Sequence, residues 1–163
     1  MAKRPLIPHK IYKEIYRQVP IACVDTVITC RGQFLLGKRV ERPCRGQWFV
    51  AGGRVFKNEP LAEAASRKLR EELGLKVPSA RLKFLTIGET TFQDSSHGGS
   101  KHTINVVFLL HLSRKPKTRV YRRHHSEVRW FSEIGPDWHP YMRMILTAAG
   151  FRLWSPRCSK IRQ

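Results

Sequence analysis

One stretch constrains this chain more than any other: Gly53-x5-Glu59-x7-Arg67-x-Leu69-x-Glu71-Glu72-x-Gly74-Leu75. It places a glycine-containing loop directly ahead of a helix. The glycines let a ligand approach the backbone closely and free a carbonyl for a metal. Leu61, Ala64, Ala65, Leu69 and Leu73 recur at helical spacing and mark one buried face. Asn58 suits the N-cap, Pro60 the first turn and Gly74 the C-terminal end, so a helix is predicted over 60–73. Glu71 and Glu72 supply adjacent hard oxygens of the kind magnesium prefers. Arg67 and Glu71 are four residues apart, as are Lys68 and Glu72, so each can pair along the helix. A Glu-Glu pair alone is common on solvated helix faces. The information lies in the whole set of spacings.

The rest of the chain reads as strands around this helix. Residues 21–29 are β-branched and apolar, a buried strand. Arg31-Gly32 turns the chain into a second strand over 33–38, making a hairpin. Residues 48–50 form a short strand running into Gly52-Gly53. Residues 81–89 and 103–112 are strand-like, and the Gly/Ser-rich segment 93–101 between them is a flexible loop. A short strand over 128–131 and a helix over 141–149, ended by Gly150, complete the domain. The order of elements predicts an α/β chain of the α+β type, with helices on the faces of a mixed sheet. We divide it into a basic N-terminal arm (1–18, helical over 11–17), a domain (19–150) and a basic tail (151–163).

With 163 residues the chain can hold one real core but hardly two. No apolar run approaches the roughly 20 residues of a membrane helix, and residues 1–10 lack the apolar centre of a signal peptide. A cytoplasmic protein with no membrane partner is expected. Cys23, Cys30, Cys44 and Cys158 form no CxxC pair, which leaves free thiols rather than a zinc site. The charge is the unusual feature: 31 Lys and Arg against 12 Asp and Glu, a net +19. Such a surface attracts polyanions and steers phosphate-bearing substrates. No recognition motif accompanies it, so nucleic-acid binding is expected only as non-specific electrostatics.

The stretch opened by Gly53 resembles the Nudix box, G-x5-E-x7-R-E-U-x-E-E-x-G-U with U aliphatic. It matches at every fixed position but one, where Lys68 stands in place of a glutamate. A cation one turn before Glu72 lowers the negative charge available to metal and argues against two or three ions gathered by the helix alone. A narrower resemblance runs from about residue 20 to 150. Gly32-Gln33-Phe34-Leu35-Leu36-Gly37-Lys38-Arg39, Arg42-Pro43, Gly46-x-Trp48-Phe49-Val50 and Gly52-Gly53-Arg54-Val55 are similar to GDP-mannose mannosyl hydrolases. Those Nudix enzymes also lack that first glutamate. They cleave the C–O bond at sugar C1 with inversion, giving GDP and mannose.

The resemblance implies a Nudix fold, a sheet sandwiched between helices, and Mg2+ as cofactor. Glu72, with Glu71 beside it, and the Gly52 carbonyl would hold the metal. Arg39, Arg54 and Arg67 would meet the diphosphate, for which the planar guanidinium fork is suited. Asp25 would touch the nucleoside or sugar, or else pair with one of the many cations. In His124-His125 the family has Gln-His, so His124 takes the metal-ligand place and His125 that of the general base. Imidazole titrates near neutrality and can accept a proton from water. Histidine in place of an amide oxygen shifts preference toward Mn2+. Asn105 stands where the family carries a tyrosine in contact with substrate. His139 faces the site or caps the last helix, and the cap is the preferred reading; His97 and His102 flank the loop. A homodimer is also implied, with the arm exchanged between subunits.

Three functions are weighed. The first is hydrolysis of a nucleotide sugar at C1, with GDP-mannose as substrate. The second is an ordinary Nudix diphosphatase attacking phosphorus, for which Glu71 speaks. The third is a non-enzymatic nucleotide or nucleic-acid binding module, for which Lys68 speaks.

Overall fold

The computed structural model describes residues 7–93, 100–118 and 123–155. Among these, three α-helices and seven strands follow in the order α1 (His9–Gln18), β1 (Ile21–Cys30), β2 (Gln33–Arg39), β3 (Trp48–Phe49), β4 (Ala51–Arg54), α2 (Leu61–Leu73), β5 (Lys83–Phe92), β6 (Lys101–Leu112), β7 (His125–Phe131) and α3 (Pro140–Ala148), with a 3-10 turn at Ser79–Arg81. The sheet runs β3-β2-β1-β6-β5, with β4 paired to β1 and β7 to β2. It is mixed: β6 runs parallel to β1 along the whole of β1, and the other pairs are antiparallel.

Strand alternation sorts the core into two layers. On one face Val24 and Ile28 of β1 pack with Ala64, Ala65, Leu69 and Leu73 of α2. On the other, Val27 of the same strand joins Met142, Ile145 and Leu146 of α3. The period-two pattern therefore places one helix on each side of the sheet. The arm is part of this body. Tyr16 of α1 is buried with Ile21 and Cys23, and the ring of Tyr12 lies beneath Arg54.

Several sequence expectations shift. Asn58 does not cap α2; it turns the chain at φ +60°, and Pro60 occupies the cap position without a side-chain bond. Leu61, expected on the buried face, is 42% exposed, because it opens the helix before the helix meets the sheet. Gly74 ends α2 in the left-handed conformation as expected. The strand expected over 48–50 breaks at Val50 into β3 and β4. The final strand begins three residues earlier than expected, so His125 is its first residue rather than part of the preceding loop. His139 caps α3 by accepting the Tyr141 amide at Nδ1, 3.2 Å away. Cys23, Cys30 and Cys44 are free thiols. Cys158, His97 and most of the Gly/Ser segment lie outside the described residues. No helix among the described residues is long and apolar enough to cross a membrane.

Candidate active site

The register of β1 against β4 sets Asp25 opposite Gly52. The absence of a side chain at Gly52 is required, since a Cβ there would lie 1.8 Å from Asp25 Oδ1. Asp25, Arg39, Gly52, Lys101, Asn105 and Tyr141 are among the walls of a cavity of about 110 Å3. Burial raises the Asp25 carboxyl to about 6, and nearby Glu72 adds to the rise. The Tyr141 hydroxyl donates to Asp25 Oδ2 and opposes it. Burial, with Asp25 alongside, raises the Tyr141 phenol far enough that it stays a donor. Burial also lowers the Lys101 ammonium and raises the Cys23 thiol to about 11. Asn105 is buried, with its amide donating to Thr103 Oγ1 at 3.1 Å. Arg39 is anchored through Nε to the Pro43 carbonyl at 2.8 Å, over the Phe49 ring. Its terminal nitrogens have no protein partner among the described residues.

Behind Gly53 lies a second group, carried by α2 and β7. Glu72 is buried, with Oε1 2.7 Å from Lys68 Nζ and Oε2 3.1 Å from His125 Nε2. Burial alone would raise the Glu72 carboxyl. The hydrogen bond from His125 and the charge of Lys68 outweigh it and bring the net shift below the ordinary range. An ionised Glu72 accepts from the Nε2–H of His125, whose other ring nitrogen is Nδ1. That Nδ1 is buried without a hydrogen-bond partner, packed on Gly37, where a Cβ would lie 2.3 Å away. His124 is half-buried. Burial lowers its imidazole while Glu72 pulls the other way, so it stays neutral with a free electron pair near neutral pH.

The arginines separate. Arg39 alone of the three lines the cavity. Arg54 is sandwiched over Tyr12 at 4.4 Å and Phe56 at 5.5 Å. Arg67 gives Nε and Nη2 to Glu59 at 2.7 and 2.9 Å, Nη1 to Glu71 at 3.1 Å, and Nη2 to the Arg54 carbonyl at 3.0 Å. It therefore ties the loop to the helix. Glu71, half-exposed, is held by Arg67 and Lys68. Tyr141 and Lys101 were not anticipated. Tyr141 lies 116 residues from Asp25 with no local pattern to announce it.

The family model for the NUDIX domain matches residues 17–140. The chain belongs to the Nudix family. It is 37% identical over 145 residues to the low-salt glycan biosynthesis protein Agl8 of Haloferax volcanii, covering 87% of this chain and 90% of that protein. It is 33% identical over 108 residues to an ADP-ribose pyrophosphatase of Methanocaldococcus jannaschii, covering 66% and 57%. Among solved structures, a MutT NUDIX hydrolase from Burkholderia pseudomallei superposes with a TM-score of 0.68 at 27% identity, covering 80% of this chain and 98% of that one.

Nudix hydrolases generally use divalent metals such as Mg2+ or Mn2+. Among the described residues no group of three His, Cys, Asp or Glu side chains is gathered as a ligand cluster. The residues present offer donors suited to one ion, at a carboxylate that Lys68 also contacts. Glu72 is an ionised hard oxygen donor, His124 a neutral nitrogen donor, and the other box carboxylates are taken by Arg67 and Lys68.

Proposed function

We propose that this Nudix hydrolase cleaves a nucleoside-diphosphate sugar, GDP-mannose in the first instance, releasing GDP and mannose by attack of water at sugar C1. The observation that carries this reading is the pairing of two unlike environments across Gly52-Gly53. On one side Arg39 and Lys101 line a cavity together with Asp25 and Asn105. On the other, Glu72 holds an imidazole whose free nitrogen has no partner.

Cationic groups suit a departing diphosphate, and a carboxyl with an amide suits the hydroxyls of a sugar. Glu72, His124 and the Gly52 carbonyl would hold one Mg2+ or Mn2+, which neutralises diphosphate charge when bound. Asp25 fixes the sugar or nucleoside, with Tyr141 orienting it. Arg39 binds the diphosphate. Arg54 and Arg67 hold the Gly52–Glu59 loop in place and reach the substrate only through it. His125 is the general base, and it serves only when it lets go of Glu72, since both nitrogens are shut from solvent in the resting arrangement. The relative active in glycan biosynthesis supports a sugar substrate.

A second reading, hydrolysis at phosphorus of a nucleotide derivative, is favoured by the pyrophosphatase relative. Incubation with GDP-mannose and Mg2+, followed by product separation, distinguishes the two. GDP with mannose supports attack at carbon. GMP with mannose 1-phosphate supports attack at phosphorus.

A further inference from the structure

Lys68 is the one departure from the box, and the fold gives it a specific place. Its side chain is 13% exposed and runs beneath the Gly52-Gly53 strand. A Cβ at Gly53 would lie 3.0 Å from Lys68 Cε and 3.4 Å from Nζ, so the glycine makes room for this chain. The ammonium reaches Glu72 Oε1 at 2.7 Å and Glu71 Oε2 at 3.5 Å. With His125 on Oε2, both oxygens of Glu72 are in use.

A divalent ion bonded to Glu72 would sit at roughly 2–2.5 Å from one of these oxygens. An ammonium on the same carboxylate would then be within a few ångströms of two positive charges, where repulsion is strong and little screened. The two cations therefore compete for the carboxylate. We propose that Lys68 is a resident cation at Glu72 that excludes the divalent ion from the free protein and yields the carboxylate when a diphosphate arrives to take the ammonium. Gly53 lines the cavity that Arg39 and Lys101 also line and adjoins the Lys68 side chain, so the ammonium lies next to the wall against which a diphosphate would bind. Ion and diphosphate consequently bind with positive coupling, each easing entry of the other. This rests on the nucleoside-diphosphate reading above.

The test is a Mn2+ titration of the full chain followed by electron paramagnetic resonance, with and without GDP, for wild type, Lys68→Met and Lys68→Gln. The glutamine variant keeps a donor toward Glu72, and thermal unfolding in EDTA confirms that the variants fold. GDP chelates Mn2+ equally in every sample, so the difference between proteins isolates Lys68. Wild type alone is expected to bind Mn2+ weakly. Removing the charge tightens Mn2+ binding at least tenfold without GDP and reduces the extra tightening that GDP brings. Equal Mn2+ affinities without GDP in the three proteins overturn the proposal. The Mn2+-only arm contains no nucleotide: a gain there with no GDP binding by any of the proteins supports the exclusion and overturns the nucleotide reading instead.

Discussion

His125 Nε2 and Glu72 Oε2 meet at 3.1 Å although 53 residues separate them in the chain, and both side chains are buried. The contact joins the first residue of β7 to the last turn of α2. On the proposed mechanism His125 is both a packing element and the base. These roles separate by substitution. His125→Ala removes both and is expected to slow turnover by about 10^2–10^4-fold and to lower the melting temperature. His125→Gln keeps a donor toward Glu72, so it restores much of the melting temperature but none of the rate. Recovery of the rate by glutamine would make His125 a positioning residue only.

The buried Asp25 predicts a pH dependence of stability. Its carboxyl is raised to about 6 in the folded chain, above the ordinary carboxylate range near 4 in the unfolded one. The folded state therefore binds more protons between these values. The contribution is fully present below about pH 4 and is lost as pH rises to about 6. In Asp25→Asn the decline in melting temperature over this window flattens. Tyr141→Phe removes a bond that lowers the carboxyl, so the declining window extends to higher pH. Melting temperatures measured from pH 4 to 8 check both.

Arg67 is expected to matter first for the fold. Its guanidinium serves Glu59, Glu71 and a carbonyl, and stacks on Phe56 at 4.2 Å. Lysine cannot reproduce that fork, and a buried Glu59 left half-paired is costly. Arg67→Lys should lose about 2–4 kcal/mol in urea unfolding. A variant of unchanged stability with weakened substrate binding would return Arg67 to direct substrate contact.

The net charge has a place away from the active site. Lys76, Arg81, Arg114, Lys115 and Lys117 are exposed around one groove of about 750 Å3. None of them forms an ion pair among the described residues. A labelled RNA oligomer is expected to bind without sequence preference and with a steep salt dependence. Neutralising Lys76, Arg114 and Lys117 together should reduce the slope of log affinity against log salt by about 2, as read by fluorescence anisotropy.

Much of this was legible from sequence because it depends on local rules. The β-branched, apolar run of β1 foretold a buried strand, and Gly74 foretold the end of α2, which it makes in the left-handed conformation. The Lys68–Glu72 pair followed from helical spacing alone. What was hidden is non-local. Arg67 reads as a phosphate ligand until Glu59 is seen folded back onto it. Asn58 looks like a cap because its identity suits one, yet the same tolerance of positive φ put it to use in a turn. The closure of His125 against Gly37 depends on the pairing of β2 with β7, which no local pattern in either strand specifies. Tyr141 finds Asp25 only because α3 packs across the sheet.

The central claim is that water attacks carbon rather than phosphorus. Turnover of GDP-mannose in water enriched in 18O, with mass spectrometry of both products, tests it most directly. Attack at carbon puts the label in free mannose and leaves GDP without it. Label in GDP, or in GMP or mannose 1-phosphate, would contradict it.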